Sequence, residues 1–202
     1  MINETGGFGD KAVATLATNV ADNATMGIEG WYHVECHDKD GNLKWTEDFP
    51  NLVVAVGKQL MLDTLLRTSG TYTTVGPFLG LTNATLTPAA TDTMTTLVGG
   101  GKEFINYTVG GSAVRGTAAF AASTSTGSTP SNVTSSTASA ITYTITGAGG
   151  TVYGCFLVTG TGAVSTQSST AGTLYSEGNF STAKITTAGD TVSVTYSTTA
   201  TS

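Results

Sequence analysis

The sequence is poor in charge. Asp, Glu, Lys and Arg make up 11% of its 202 residues, the net charge is -6, and from Gly116 to Ser176 none of the four occurs. Nucleic-acid binding needs clustered Lys and Arg to neutralise phosphates, so a dilute acidic balance excludes nucleic acid from the expected partners. Disordered chains combine high net charge with low hydrophobicity. This one has 39% hydrophobic residues, enough to bury a core.

Long apolar runs are missing too, and with no run able to span a bilayer no membrane partner is expected. Met1-Ile2-Asn3-Glu4-Thr5 has neither the basic nor the apolar region of an export signal. Cysteine is limited to Cys36 and Cys155. Without export, two buried free thiols are expected rather than a disulfide. The N-x-S/T matches at Asn23, Asn83, Asn106, Asn132 and Asn179 are what a Thr-rich chain yields by chance.

What the chain does have is Thr, about one residue in five, and 26 Gly. Thr favours extended backbone and Gly permits tight turns, so many short strands are expected. An uncharged stretch of this length is explained by packing against a neighbour or by hydration through hydroxyls alone. For Ser123 to Ser136 an exposed low-complexity loop is an equal alternative.

Along the chain, residues 1–27 read as an extended N-terminal arm, with a marginal helix over Ala12 to Ala21. Residues 28–202 read as one domain. Trp31 to His37 and Leu43 to Phe49 alternate as strands around an Asp38-Lys39-Asp40-Gly41-Asn42 turn, the clearest hairpin in the chain. A single helix is predicted near 52–67, with Asn51 as N-cap. Its apolar side is Val53, Val56, Leu60, Leu62, Leu65 and Leu66, an Asp63–Arg67 pair lies opposite, and Gly57 allows close packing on a sheet.

Strands follow near Val75–Thr82, Glu103–Val109, Ala113–Phe120, Ala138–Thr146, Val152–Thr159, Thr173–Ser176, Ala183–Thr186 and Thr191–Ser197. Gly149-Gly150 is predicted to link two of them as a hairpin, and Gly189-Asp190 to turn into the last. The fold expected is mainly all-β, a two-sheet β-sandwich of jelly-roll or immunoglobulin-like type with one short helix.

Chemistry is thinly supplied. His33, Cys36, His37, Asp38 and Asp40 are the best metal candidates, but a strand turns Cys36 away from both histidines, so no metal is expected. Asp38-x-Asp40-x-Asn42 starts like a calcium loop, yet Leu43 and Phe49 stand where Gly and Glu are required. A catalytic triad would have to use His33 or His37, and no Gly-x-Ser-x-Gly elbow is present. Past residue 103 the only acids are Glu177 and Asp190, so a carboxylate pair would lie mostly in the first third. Gly99-Gly100-Gly101-Lys102 reads as a connector, not a phosphate loop. No catalytic residue and no cofactor are predicted. Trp31, Trp45, Tyr143 and Tyr153 could line a sugar-binding surface, although core packing is the commoner fate.

The order of segments carries a resemblance. Asn42-Leu43-Lys44-Trp45 leads to Asn51-Leu52-Val53-Val54, then Phe78-Leu79-Gly80-Leu81, Asp92-Thr93-Met94, and Glu103-Phe104 with Tyr107 and Arg115. Val152-Tyr153-Gly154-Cys155-Phe156-Leu157, Leu174 to Phe180 and Gly189 to Tyr196 complete it. Over roughly residues 29–198 this resembles small virion structural proteins of tailed bacteriophages. What the resemblance implies is a capsid cement or decoration protein, made in the host cytoplasm and seated on the capsid surface. It would bind the major capsid protein as a homo-oligomer, a dimer or trimer, and clamp neighbouring capsomers. A tail or fibre-associated protein with a host-surface binding role is the alternative, and the absence of a fixed-period repeat turns the reading towards the capsid. An enzyme, such as a particle-borne glycan hydrolase, is the third reading. Its supply of acid/base groups is poor.

Overall fold

The computed structural model describes residues 27–66, 75–122, 131–133 and 140–201. The predicted arm, apart from Gly27, and its Ala12 to Ala21 helix lie outside the described residues, as does most of Ser123 to Ser136.

Two six-stranded sheets face each other, and every pairing is antiparallel. The first contains β1 (Gly27–His37), β2 (Leu43–Pro50), β6 (Tyr107–Thr108), β8 (Ser131–Val133), β9 (Ile141–Ile145) and β12 (Thr191–Thr201). Its order is β2-β1-β12-β9-β6, with β8 also on β12. The second contains β3 (Leu52–Val53), β4 (Phe78–Thr82), β5 (Glu103–Phe104), β7 (Gly116–Thr117), β10 (Gly150–Thr159) and β11 (Thr173–Thr186). Its order is β3-β11-β10-β4-β5, with β7 also on β4. The two-sheet β-sandwich is therefore the fold.

Period-2 alternation builds the first sheet. Tyr32, Val34 and Cys36 of β1, Ile141, Tyr143 and Ile145 of β9, and Val192, Val194 and Tyr196 of β12 turn inward. They meet Leu79, Leu81, Cys155 and Leu157 of the second sheet. Buried hydroxyls need partners, and most tyrosines here have them. Tyr143 donates to the Leu79 carbonyl at 2.7 Å, tying one sheet to the other. Tyr32 pairs with the Ser176 hydroxyl at 3.1 Å, and the Asn51 amide donates to the Tyr196 hydroxyl at 2.8 Å.

A second core lies on the outer side of the second sheet. Phe156, Val158 and Leu174 pack there against Val54, Leu86, Met94 and Leu97. The cover comes from helix α1 (Ala55–Leu66), a short α2 (Met94–Leu97) and their flanking segments. Strand β10 is thus buried on both faces, which is why Cys155-Phe156-Leu157-Val158 is continuously apolar. Much of the uncharged stretch is explained internally, since β9 and β10 lie in this chain's own core.

Several local expectations are corrected. The helix begins at Ala55, because Leu52 and Val53 pair with Glu177 and Ser176 of β11 instead. Asn51 is not its N-cap: the Asn51 N–H donates to the Gly30 carbonyl, and its side chain holds the connection between β2 and β3 to Tyr196 of β12. Of the predicted apolar side, Leu60 is buried but Leu62, Leu65 and Leu66 are exposed. The Asp63–Arg67 pair cannot be placed, as Arg67 lies outside the described residues. Gly57 does meet the sheet, where a Cβ would come within 2.5 Å of the Tyr175 carbonyl oxygen.

Gly149-Gly150 is not a hairpin. It carries the chain from β9 in the first sheet to β10 in the second. Glu103–Val109 likewise splits into β5 and β6 on different sheets, whereas Thr173–Ser176 and Ala183–Thr186 are ends of one 14-residue strand. The second helix escaped the pattern because it is four residues long, held by a Thr93/Thr96 capping box.

Candidate functional site

Hairpin β1–β2 carries most of the residues considered for metal or triad chemistry. Cys36 points into the core, while His33 and His37 point outward, as strand alternation requires. Burial pushes the Cys36 thiol up to about 11, and Cys155 is raised by the same cause. Both thiols are free and buried. His33 lies between two carboxylates, with Nδ1 2.8 Å from Asp48 and Nε2 3.3 Å from Glu35. The Asp48 hydrogen bond, aided by Glu35 and opposed by partial burial, raises the imidazole above its ordinary value. Asp38 closes the hairpin turn, accepting the backbone N–H groups of Asp40 at 2.9 Å and Asn42 at 2.8 Å. Among the described residues no three His, Cys, Asp or Glu are grouped to hold a metal ion.

The predicted aromatic surface does not assemble. Tyr143 is core, Trp45 packs edge-on against Phe180 at 5.6 Å, Trp31 is exposed on β1, and Tyr153 is half-buried on β10.

Besides the Lys184–Glu47 pair at 2.8 Å, two charged clusters on the second sheet have no signal in the sequence. In the first, Arg115 grips Glu103 through Nε and Nη2, both at 2.8 Å, with both side chains buried. The guanidinium stands 5.3 Å from the Phe156 ring and donates from Nη2 to the Ser169 carbonyl at 2.7 Å. Glu103 accepts the Ser168 N–H at 2.8 Å. This bidentate pair therefore anchors the connection between β10 and β11 onto the sheet.

The second cluster is Asp92, Lys102 and Glu177, which line a cavity of about 30 Å³ with Leu86, Thr87, Thr96 and Leu97. Glu177 is 2% exposed, and its Oε1 has no hydrogen-bond partner. Burial, then the hydrogen bond and charge of Asp92, push Glu177 up to about 8 against the opposing charge of Lys102. Burial also acts upward on Asp92. Hydrogen bonds from Glu177, the Ala89 N–H and the Thr96 hydroxyl, together with Lys102, outweigh it and hold Asp92 low. Opposite shifts on two neighbouring carboxyl groups are the pattern expected of a pair that shares one proton.

An acid pair therefore exists, but not mostly in the first third of the chain as expected. Its partners converge only because β11 brings Glu177 beneath the segment that starts α2. Their direct contact differs from the separation of about 5–5.5 Å or 6.5–9.5 Å that glycoside cleavage uses. A cavity of about 30 Å³ matches one water and not a sugar.

The surface offers something different. On α1, Leu65 is 81% and Leu66 71% exposed, with Leu62 half exposed beside them. No helix among the described residues is long and apolar enough to cross a membrane. Compared with models of known protein families, with curated proteins and with solved structures, the chain matches none.

Proposed function

We propose that this chain is a structural component of a virus particle, a capsid cement or decoration protein. It binds the major capsid protein lattice as a homo-oligomer and stabilises the head. One observation carries the reading: helix α1 turns Leu62, Leu65 and Leu66 to solvent on a domain whose charged clusters are occupied by internal contacts. Contiguous exposed apolar side chains mark interfaces. On a repeating lattice, many modest contacts of this kind add up through multivalency.

The test is occupancy on purified particles produced with this chain, counted by quantitative mass spectrometry. Copies comparable in number to the capsid subunits support the reading, and Leu65→Asp with Leu66→Asp should strip them while the unfolding midpoint is kept. A single ring of copies per particle would replace it with the tail-associated alternative. Absence from particles would remove both.

A further inference from the structure

Where β5 meets the start of β10, the edge of the sandwich carries a groove of about 460 Å³ that none of the contacts above occupies. Its walls have no free charge. Glu103 is the only ionisable carboxylate among the lining residues, and both its oxygens are taken by Arg115 and the Ser168 N–H. No Lys, Arg or His lines it.

What lines it is a set of fixed neutral acceptors beside apolar surface. The Asn83 amide donates to the Gly101 carbonyl at 3.2 Å and the Glu103 carbonyl at 3.0 Å. The Asn106 amide donates to the Gly149 carbonyl at 2.9 Å. Asn83 Nδ2 uses both of its N–H groups and Asn106 Nδ2 one of its two, which fixes each amide and with it each Oδ1 as an acceptor on an exposed residue. Beside them stand Ile105, 48% exposed, the half-buried Tyr153 and the Thr151 hydroxyl. Gly150, at φ +151°, lets the Phe104 ring close the floor, since a Cβ there would lie 2.7 Å from that ring.

We propose that this groove binds an uncharged carbohydrate. A sugar ring presents hydroxyl donors around its rim and C–H groups on its faces. It therefore needs acceptors in fixed directions and an apolar or aromatic wall, and both are here. Acceptors already locked by backbone carbonyls lose little freedom on binding, which favours a ligand that makes few contacts. A phosphate or carboxylate ligand finds no cation on these walls, and a cation finds only a neutralised Glu103. The inference does not rest on the capsid reading, because a head or a tail protein could equally carry such a groove.

The test titrates the full-length ¹⁵N-labelled chain with maltotetraose, cellotetraose, chitotetraose and mannotetraose, with sialyllactose as an anionic control. At least one neutral tetrasaccharide should give saturable shifts confined to the Asn83 and Asn106 side-chain amides and the Ile105, Thr151 and Tyr153 backbone, with Kd on the order of 1 mM. Tyr153→Ala should weaken that binding about tenfold. Ile105→Lys, at an exposed position that does not threaten folding, should abolish it even if the tyrosine variant is unstable. Failure of all four sugars, equal binding of sialyllactose, shifts spread over the surface, or unchanged affinity in Ile105→Lys would each overturn the proposal.

Discussion

The two sheets turn opposite kinds of outer face away from their shared core. On the first sheet, β1, β9 and β12 present His33, Glu35, Thr142, Thr144, Ser193 and Thr195, none of them buried. Hydroxyls and a few charges dress this face, and its contacts are light, such as Thr142 to Ser193 at 3.3 Å. On the second sheet the same side of the strands holds Phe156, Val158 and Leu174, fully buried under α1, α2 and their connections. Among the described residues, buried charge on that face is gathered in clusters, Glu103 with Arg115 and Glu177 with Asp92 and Lys102. One face tolerates water and the other does not, so equivalent changes should have very different consequences.

The largest difference is expected at Arg115. Arg115→Ala would leave the Glu103 carboxylate buried without its partner and remove the cation above Phe156. A loss of about 3–5 kcal/mol is expected in urea unfolding. Thr144→Ala, on the exposed face of β9, should stay within about 0.5 kcal/mol. Similar losses for the two variants would show that the covered face is not drier than the open one.

The same contrast explains what could be read from the residues. Ile141-Thr142-Tyr143-Thr144-Ile145 and Val192-Ser193-Val194-Thr195-Tyr196 announce their strands, because one buried and one wet face impose period 2. Strand β10 is covered on both sides, and its Cys155-Phe156-Leu157-Val158 run gives no sign of which residues face which layer. Gly149-Gly150 has the positive φ expected of a turn, yet nothing local says that the turn changes sheets. At the Leu-rich end of α1 apolar spacing does not mark a buried side, because Gly57 and Leu60, earlier in the helix, make the contact. The clusters at Glu103–Arg115 and Asp92–Glu177 were illegible for a simpler reason. Each joins residues that only tertiary pairing brings together.

A second, smaller effect should appear at Glu177. Its folded value, about 8, lies above the ordinary 4.5. The stability it contributes is therefore full below about pH 4.5 and is lost as pH rises towards 8. Asp92 is shifted the other way, so its contribution is present at higher pH and lost on acidification. Asp92 loses its contribution only below its ordinary 3.8, so the fall between about pH 5 and 8 belongs to Glu177 and is expected to be about 3 kcal/mol. Glu177→Gln cannot ionise but can still donate to Asp92. Its unfolding free energy should change less over that range and exceed the unsubstituted protein's at pH 8. A parallel pH dependence in both proteins would remove the shared proton from the account.

The smallest pH-dependent effect is expected on the open face, at His33, and it gives the comparison its sharpest form. His33 is also raised, so it too stabilises below its ordinary 6.5 and loses that contribution as pH passes its folded value. The direction matches Glu177, but the surroundings do not. The His33 side chain is 44% and that of Asp48 66% exposed, so solvent screens the pair and His33→Asn should change stability at acidic pH by less than about 1 kcal/mol. Salt then separates the two sites. About 1 M salt shortens the Debye length to about 3 Å, so the His33 contribution should fade while the enclosed Glu177 effect persists. If added salt flattened both pH profiles equally, the Asp92–Glu177 pair would be open to solvent and the contrast between the faces would fail where it matters most.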